Sequence, residues 1–550
     1  MPKIYIKGFA GVNTDKLPTK LVVNKYGISE LADCLNMDLN NDYSLSQRKG
    51  STLVNIFSNN AYLLKFDEIR DGALNEIMLA IDGTTLYRYD DSTGTFVSKA
   101  TNLTAATYWG GVGYVGDFVF SNRQFTYRFY YDTSLSDYKV EILSYDYEND
   151  GSSYIVNIVT SDVVYNNDGN SVNGDDKTYY QAKVAQTGID LSTEDFSNTT
   201  NWEKLGTSPI VPNGLYWEQF DNRLFCCGDG TENLYYSEQG DGTSWDALDF
   251  IALGAKPTAL KQVGEFLFVG TDRGIIKVKL TGDSTAPYIL TWLTKDGILN
   301  NSLVEVTSGL VGCLTDTGRY LIFDQYTQDT SQIDIKVGLP IRPTILDIDD
   351  TFMVSLKHKN QIIYACKVDS DYKQLVLNNV VFGWTFYDLN IKSMIEYDGV
   401  VYYSDYSKNV MKLASGVYQD NGTDFSVYAV TPIYDDDKPE FMKNFRRINM
   451  VSNSETKVNI RMYYNVLYTI IWDSNRSDDK EILASGADWG SVKWGEFIWG
   501  GVYAQVPLFR VEMTGRGLQL KITKTTSNSD LKIQDLVIEY YPAYQQGAVS

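Results

Sequence analysis

Apolar residues in this chain occur in short runs, and almost every run ends in a polar turn. The turns are rich in Asp-Gly, Asn-Gly and Gly-Asp pairs, such as Asp82-Gly83, Asn173-Gly174 and Asp241-Gly242. Glycine and asparagine accept the positive φ angles that tight hairpins require. Helical periodicity, by contrast, is scarce along the whole sequence. The pattern therefore predicts an all-β protein.

The apolar runs recur as a repeat between residues 215 and 415, in which each unit has an apolar strand, a polar turn and a second apolar strand. Equivalent positions in successive units are spaced by 43, 45, 42 and 47 residues, with anchors at Leu224, Leu267, Gly312, Val354 and Val401. Two earlier units, Glu76–Tyr89 and Asp117–Tyr130, lie about 39 residues apart. A period of about 40 to 50 residues with four strands per unit is typical of a β-propeller. We therefore predict a β-propeller-like central domain.

Two stretches depart from this repeat. Residues 132–212 are polar and rich in loops, yet they contain apolar strands. We interpret them as a β-rich insertion projecting from one blade, and two degenerate blades are the alternative.

From about residue 423 the strands are longer, and Leu518, Leu520 and Ile522 alternate with polar residues. This alternation predicts a C-terminal β-sandwich-like domain.

The predicted organisation has three parts. Residues 1–60 are an N-terminal segment with a short helix, since Ser29 could cap a helix that reaches Asn36. Residues 61–422 are the β-propeller-like domain, which residues 132–212 interrupt. Residues 423–550 are the β-sandwich-like domain.

The charge balance narrows the possible functions. The chain has 550 residues and a formal net charge of −22, which argues against binding nucleic acid through a basic face. His358 is its only histidine, so Ser-His-Asp catalysis, Cys-His catalysis and His-based zinc sites would all require that one residue. We expect no catalytic residue, no cofactor and no metal site, and a protein that is not an enzyme.

The five cysteines lack a disulfide spacing and are predicted to be buried thiols.

Two acidic loops resemble calcium loops in spacing only. Residues 38–42 carry Asp, Asn and Asp at alternate positions, but Tyr43 stands where an EF-hand needs glycine. Residues 146–150 fit better, yet Asn157 occupies the position of the bidentate glutamate. Solvated turns are the simpler interpretation of both loops.

A tryptophan repeat near the C-terminus has two interpretations. Trp489, Trp494 and Trp499 recur at five-residue intervals, and each is followed by glycine. The rings could form a surface on which sugars stack, or they could pack in a core or a subunit interface, and tryptophan favours packing of both kinds.

The first residues carry no targeting signal. The start, MPKIYIKGFAGVN, lacks an apolar core of signal-peptide length, and no run in the chain approaches the roughly 18 apolar residues of a membrane span. We therefore expect a chain made and assembled in a cytoplasm, with no membrane-spanning segment.

Five short motifs lie near the two ends of the chain. They are Phe9–Thr14 (FAGVNT), Glu30–Leu39 (ELADCLNMDL), Leu45–Gly50 (LSQRKG), Phe509–Ile522 (FRVEMTGRGLQLKI) and Leu536–Pro542 (LVIEYYP). Together they resemble the tail nozzle proteins of short-tailed bacteriophages, which are also called tail tubular, tail accessory or DNA-stabilisation proteins. The usual outline of that family is a G-V-N start, an acidic N-x-D-L element and a strand ending in R-x-G. The propeller-like middle agrees with the family's architecture.

The resemblance implies a structural virion protein. It implies a homo-hexamer, a ring of six copies below the portal and adaptor proteins of the tail, which extends the conduit for genome retention and ejection. Residues 1–60 would then be a docking segment and residues 423–550 a platform. Genomic DNA would pass through the lumen without sequence-specific binding. Tail fibres are a further possible partner. The protein would reside in the virion after assembly in the host bacterial cytoplasm.

Two other functions remain open at the level of sequence. One is a phage or surface β-propeller of the tail-fibre or receptor-binding type that binds or depolymerises glycans, with the three tryptophans as stacking platforms. The other is a cytoplasmic propeller scaffold, which the absence of WD and kelch signatures weakens.

Overall fold

The computed structural model describes residues 2–70, 73–101, 103–160, 162–169, 174–206, 211–246, 248–281, 287–328, 330–452, 454, 456–466, 476–482, 484–485, 497–498 and 506–543. The chain forms two compact units. One contains residues 1–56, 304–327 and 331–550, and the other contains residues 57–303 and 328–330. The division falls inside the predicted 61–422 range, and the three-part domain boundaries stay a prediction.

The N-terminal segment consists of short strands. They are β1 Lys3–Ile6, β2 Gly8–Val12, β3 Ile28–Leu31, β4 Asp33–Leu35, β5 Met37–Leu39, β6 Leu45–Gln47 and β7 Ser51–Ile56. Strands β2 and β3 pair in parallel, and β5 and β6 form an antiparallel hairpin.

The predicted short helix over Ser29–Asn36 is wrong, because this segment forms β3 and β4. Ser29 and Leu31 are both fully buried while their neighbours in β3 are half-buried, which is the period of a strand. The backbone amides of β3 and β4 bond to other strands, and this pairing outweighs the weak local preference for a helix.

The unit of residues 57–303 contains four antiparallel sheets of four strands each. The first two sheets are β8 Tyr62–Arg70, β9 Ala73–Asp82, β10 Thr85–Asp90 and β11 Thr95–Ala100, then β12 Gly110–Tyr114, β13 Asp117–Ser121, β14 Thr126–Asp132 and β15 Asp137–Ile142.

The insertion follows β15 and forms its own small sheets. Its strands are β16 Tyr147–Asn149, β17 Ile155–Ile158, β18 Val163–Asn166, β19 Thr178–Ala182, β20 Gln186–Asp190 and β21 Trp202–Gly206, with a 3-10 turn at Leu191–Thr193. A separate buried cluster, which includes Val164, Phe196 and Trp202, holds these strands together. The β-rich insertion is therefore confirmed, but it begins later than residue 132, because Asp137–Ile142 is the outer strand of the second sheet.

Two further sheets complete this unit. They are β22 Tyr216–Phe220, β23 Arg223–Cys227, β24 Asn233–Tyr236 and β25 Phe250–Ala252, then β26 Pro257–Val263, β27 Phe266–Thr271, β28 Gly274–Leu280 and β29 Tyr288–Thr294. The first strands of successive sheets contact one another, β8 with β12, β12 with β22 and β22 with β26. The third and fourth sheets share one core, in which Phe225 and Leu234 pack with Leu267 and Val269. This is the blade arrangement of a β-propeller.

The other unit continues the same pattern. Its next strands are β30 Val304–Thr307, β31 Leu310–Leu314 and β32 Tyr320–Asp324, then β33 Ile348–His358, β34 Gln361–Val368, β35 Asp371–Asn378 and β36 Gly383–Tyr387, then β37 Ile391–Tyr397, β38 Val400–Asp405 and β39 Asn409–Leu413. First strands are again neighbours, β30 with β33 and β33 with β37. The helical segments between residues 330 and 346 are 3-10 turns at Thr330–Gln332 and Leu339–Ile341 and the helix α1 Arg342–Leu346. Within the described residues, no helix combines the length and apolar content needed to cross a bilayer.

The C-terminal strands are β40 Tyr428–Val430, β41 Lys443–Val451, β42 Val458–Asn465, β43 Ser477–Ile482, β44 Ala484–Ser485, β45 Phe497–Ile498, β46 Leu508–Gly515, β47 Gln519–Lys524, β48 Lys532–Ile533 and β49 Asp535–Pro542. They form a β-sandwich-like region with alternately buried positions, as predicted. One sheet has the order β1-β49-β41-β46. The other is a nine-stranded sheet that runs β33-β34-β35-β36-β4-β40-β47-β42-β43.

Strands from the N-terminal segment complete the sheets of this unit. Strand β1 pairs with β49, β6 pairs with β48, and β4 lies between β36 and β40. Strand β7 is the outer strand of the last blade, next to β39. The N-terminal segment is therefore an internal part of the fold.

Deleting residues 1–56 should unfold the unit to which they belong and leave residues 57–303 folded. The deletion removes the strand that joins β36 to β40 and the outer strand of the last blade, and it exposes the backbone groups that these strands satisfy. Limited proteolysis with mass spectrometry should then show a protected fragment near 57–303. Deleting residues 1–6, which removes only the edge strand β1, should protect both units. A protected fragment covering 304–543 after the larger deletion would contradict this prediction.

Candidate functional site

The motif Leu45–Gly50 places a buried arginine in the middle of its unit. The Arg48 side chain is 1% exposed. Its guanidinium forms a bidentate ion pair with Asp420, at 3.0 Å (Nη1–Oδ1) and 2.6 Å (Nη2–Oδ2), and its Nε donates to Asn36 Oδ1 at 2.8 Å. The same group lies 3.7 Å from the centre of the Phe425 ring. A buried guanidinium needs partners for all its donors, so Arg48 ties three separate segments together.

Gly50, the last residue of that motif, is required by close packing. A Cβ atom at this position would lie 2.2 Å from the carbonyl oxygen of Gln419. Real Cβ atoms do not approach backbone atoms so closely, so any other residue would push two chain segments apart. The arginine and the glycine of the R-x-G element thus both have structural roles.

Asp38, the acidic residue of the N-x-D-L element, is also an internal group. Its carboxylate accepts hydrogen bonds from Gln361 Nε2 at 2.7 Å and from the Tyr387 hydroxyl. Burial raises the pKa of Asp38 above its ordinary value, although these two donors oppose the shift. Burial also raises the pKa of Tyr387 well above its usual range, so its hydroxyl stays a donor.

The loops considered for calcium direct their carboxylates to protein donors instead. Asp42 accepts the backbone N–H and the hydroxyl of Ser44, at 3.0 and 2.6 Å. In the second loop Asp146 accepts the Val163 N–H at 2.7 Å. Within the parts of the chain that the structure describes, no group of three His, Cys, Asp or Glu side chains could hold a metal ion.

An open pocket of about 690 Å³ lies beside the Arg48 network. Its lining includes Asp38, Arg48 and the only histidine, His358. The Nδ1 atom of His358 lies 2.9 Å from Glu396 Oε2, so this ring is held by a carboxylate of the neighbouring blade. The pocket thus gathers the motif residues that the sequence singled out, and each of them bonds to a protein group.

The five cysteines are buried thiols that form no disulfide, as predicted. Burial raises the pKa of the thiols, well above the ordinary value for Cys34, Cys226 and Cys227 and to about 12 for Cys366. A thiol with so high a pKa is protonated at neutral pH and is a poor nucleophile. The tryptophan repeat at Trp489, Trp494 and Trp499 lies outside the described residues.

An exposed cationic surface covers part of the C-terminal sheet. Arg446 and Arg447 on β41 and Arg510 on β46 line an open groove of about 560 Å³, and Leu508, Glu512 and Tyr541 complete the lining. Arg447 pairs with Glu539 at 3.3 Å, but that carboxylate is shared with Lys3 at 2.8 Å. Among the described residues, the side chains of Arg446 and Arg510 form no ion pair. We call Arg446, Arg447 and Arg510 the arginine face.

The arginine face exists because of a β-bulge. The register of β41 shifts between Phe445 and Arg447 against both of its neighbours, so Arg446 and Arg447 are both exposed although they are consecutive. The same register sets Arg447 directly opposite Arg510, and like charges at such positions destabilise a sheet. Sequence reasoning missed this surface, because net charge hides a local cluster. The consecutive arginines in a strand were the one available signal.

No protein-family model and no curated protein matches the sequence. Among solved structures, the chain is similar to the WD40 β-propeller domain of Doa1, with 11% identity, a TM-score of 0.34, and coverage of 67% of this chain and 97% of that one. It is also similar to BamB from Moraxella catarrhalis, with 8% identity, a TM-score of 0.31, and coverage of 75% of this chain and 96% of that one. A computationally designed protein, Ika8, matches with 12% identity, a TM-score of 0.34, and coverage of 66% of this chain and 99% of that one.

Replacing Arg48 with methionine should lower the free energy of unfolding of its unit by about 2–4 kcal/mol. The substitution keeps much of the side-chain volume but leaves Asp420 and Asn36 without their donor in a mostly buried site. Chemical denaturation should show the loss, and the double variant with Asp420→Asn should recover part of it, since no carboxylate is then stranded. Arg342→Met, which changes an exposed arginine, is the control. A change below about 0.5 kcal/mol for Arg48→Met would refute the structural role.

Asp38 should make stability fall as the pH rises. Its raised pKa means that the folded protein keeps a proton on Asp38 where the unfolded chain, near the ordinary value of 3.8, has released it. The stability of wild type relative to Asp38→Asn should therefore decline from about pH 4 upward until the folded pKa is passed. Denaturation at a series of pH values measures this difference.

Asp42→Asn is the control, because the stability of wild type relative to this variant should change with pH in the opposite direction. Burial alone would raise the pKa of Asp42, but the hydrogen bonds from Ser44 lower it overall. The stability of wild type relative to Asp42→Asn should rise as the pH increases from the lowered folded pKa to about 3.8. A pH-independent difference for Asp38→Asn would contradict the prediction for that residue.

Proposed function

We propose that this chain is the tail nozzle of a short-tailed bacteriophage, a structural virion protein that forms a ring of six and extends the conduit for genome retention and ejection. The motifs at the two ends of the sequence support the proposal. Asn36, Asp38, Arg48 and Gly50 match the N-x-D-L and R-x-G elements of that family, and they occupy internal positions that the fold requires. The C-terminal motifs form β46, β47 and β49 of the same unit.

The arginine face carries the assembly part of the proposal. The chain has 70 acidic and 48 basic residues, so carboxylates outnumber cationic side chains. An identical neighbouring copy therefore offers carboxylates to Arg446 and Arg510. Charge complementarity of this kind selects a partner and its orientation. A face on one copy that meets a different surface on the next makes a head-to-tail contact, and such contacts form a ring when the rotation between neighbouring copies closes.

The proposed role is structural rather than enzymatic. The only histidine is held by a glutamate, and the thiols are buried in their protonated form. Rigid paired sheets provide walls, and acidic walls would repel the phosphates of a passing duplex. The portal and adaptor proteins are the proposed neighbours, tail fibres are a further candidate partner, and the protein would act in the virion after assembly in the host cytoplasm.

Reversing the charge of the arginine face should prevent ring formation. The double variant Arg446→Glu/Arg510→Glu would place carboxylates against an acidic neighbour, so the hexamer should dissociate to monomers. Mass photometry and negative-stain microscopy of wild type should show a six-fold ring that weakens as salt is raised. The double variant Arg273→Glu/Arg342→Glu, an equal charge change at two exposed arginines elsewhere, should leave the ring intact. A wild-type chain that stays monomeric at high concentration would overturn the proposal.

The assembled ring should not retain duplex DNA, even at low ionic strength. Six copies with a net charge of −22 each leave few free cations to release counterions from phosphate. Gel-shift assays at a series of salt concentrations would measure this, with a cationic DNA-binding protein as a positive control. Tight binding that weakens steeply with salt would argue for a clamp on DNA rather than a conduit.

A further inference from the structure

A pocket lined by aromatic side chains lies where the insertion meets the blades of its own unit. Its volume is about 700 Å³, within the usual range of small-ligand sites. Five rings line it, namely Phe125, Tyr145, Tyr165, Tyr179 and Tyr235.

Four of the rings, those of Phe125, Tyr145, Tyr165 and Tyr179, form one continuous cluster. Tyr145 stacks on Tyr165 with 5.6 Å between ring centres, and Tyr165 lies 4.6 Å from Tyr179. The edge of Phe125 meets both Tyr145 and Tyr165, at 5.7 and 5.8 Å. Tyr145 and Tyr165 are only half-buried. Apolar ring surface therefore remains uncovered inside a pocket, where a ligand could pack against it.

Tyr179 has a polar group that the protein does not satisfy. Its side chain is 3% exposed, and among the described residues its hydroxyl forms no hydrogen bond. Burial raises the pKa of Tyr179, so the hydroxyl is a neutral donor at physiological pH. This oxygen is not enclosed by protein, so water or a ligand in the pocket can bond to it. The pocket is the space from which such a partner would come.

Carboxylates held in place add acceptors to the pocket. Glu148 accepts the Tyr145 hydroxyl at 3.0 Å and Asn167 Nδ2 at 3.1 Å. Asp229, which also lines the pocket, accepts the Tyr235 hydroxyl at 2.9 Å and the Thr231 hydroxyl at 2.7 Å. These bonds fix the carboxylates without using all their lone pairs.

Two cations at the pocket are held in an uncommon backbone conformation. Arg123 and Lys177 are exposed and have φ angles of 68° and 51°. Side chains other than glycine adopt this left-handed region at a cost, and such residues concentrate at ligand-binding sites. The pocket thus offers flat apolar rings with fixed donors and acceptors around them.

We propose that this pocket binds a pyranose unit of a bacterial surface polysaccharide. A sugar ring has one face of C–H bonds, which packs on an aromatic ring, and a rim of hydroxyls that both donate and accept. Tyr145 and Tyr165 would take the C–H face. Glu148, Asp229, Asn167 and the free hydroxyl of Tyr179 would bond to the hydroxyls. A peptide ligand fits less well, because the polar groups surround the rings on more than one side. The sugar class follows from the pocket alone and does not depend on ring assembly, whereas the bacterial surface as its source rests on the proposed function.

The test is binding of the full chain to an array of purified bacterial lipopolysaccharides, capsular polysaccharides and maltodextrins. Wild type should bind at least one glycan, and Tyr165→Ala should weaken that binding at least about tenfold through loss of stacking. Tyr145→Phe, which keeps the ring but releases Glu148, should weaken it by a smaller factor. Tyr406→Ala is the matched control, because Tyr406 stacks on Tyr372 in the other unit. Thermal melting would check that each variant is folded.

A second pair of variants keeps the test independent of core packing. Asn167→Ala and Lys177→Ala change polar side chains at the edge of the pocket and should each weaken glycan binding while melting remains unchanged. Binding that survives Tyr165→Ala in folded protein would overturn the proposal. So would a wild-type chain that binds no glycan on the array, or one that binds a proline-rich peptide through the same tyrosines instead.

Discussion

The buried guanidinium of Arg48 is the interaction on which its unit depends. It connects the N-terminal segment, through Asn36, to the chain that follows the last blade, through Asp420 and Phe425. Strand β4 pairs with β36 and β40 through its backbone, and the bond from Arg48 to Asn36 adds a side-chain tie where the blade strands join the sandwich strands of the nine-stranded sheet. The buried charge is tolerable because every side of it is occupied by a carboxylate, an amide, a carbonyl or an aromatic ring.

Sequence pattern predicted the repeated sheets well, because each blade is built from neighbouring segments whose apolar runs recur at a fixed spacing. It failed for Ser29–Asn36, where the backbone partners are strands far away in sequence and no local signal distinguishes a helix of about two turns from two short strands. It could also not show that Asp38 and Arg48 are internal. Charged residues are usually exposed, and only the positions of Tyr387 and Asp420 reveal why these two are not.

The two surfaces of interest differ in how the fold creates them. The arginine face depends on one extra residue in β41, which turns two consecutive side chains outward and accepts a like-charge pair across the sheet. The pocket lined by aromatic side chains depends on the insertion, which brings Tyr165 and Tyr179 to Phe125 of the second blade. One surface suits contact between copies of the chain, and the other suits a small polar ligand. Each could therefore change without the other.

The pairing of β1 with β49 sets the order in which the parts of this protein can fold while the ribosome makes the chain. Ile6 finds its partner Leu536 only when nearly the whole chain has been made, which takes roughly 30–100 s at ~5–20 residues per second. Residues 57–303 can fold during that interval, because their sheets use only their own strands. The N-terminal strands must wait with unpaired edges, so nascent chains are exposed to aggregation at the start of the sequence for most of translation.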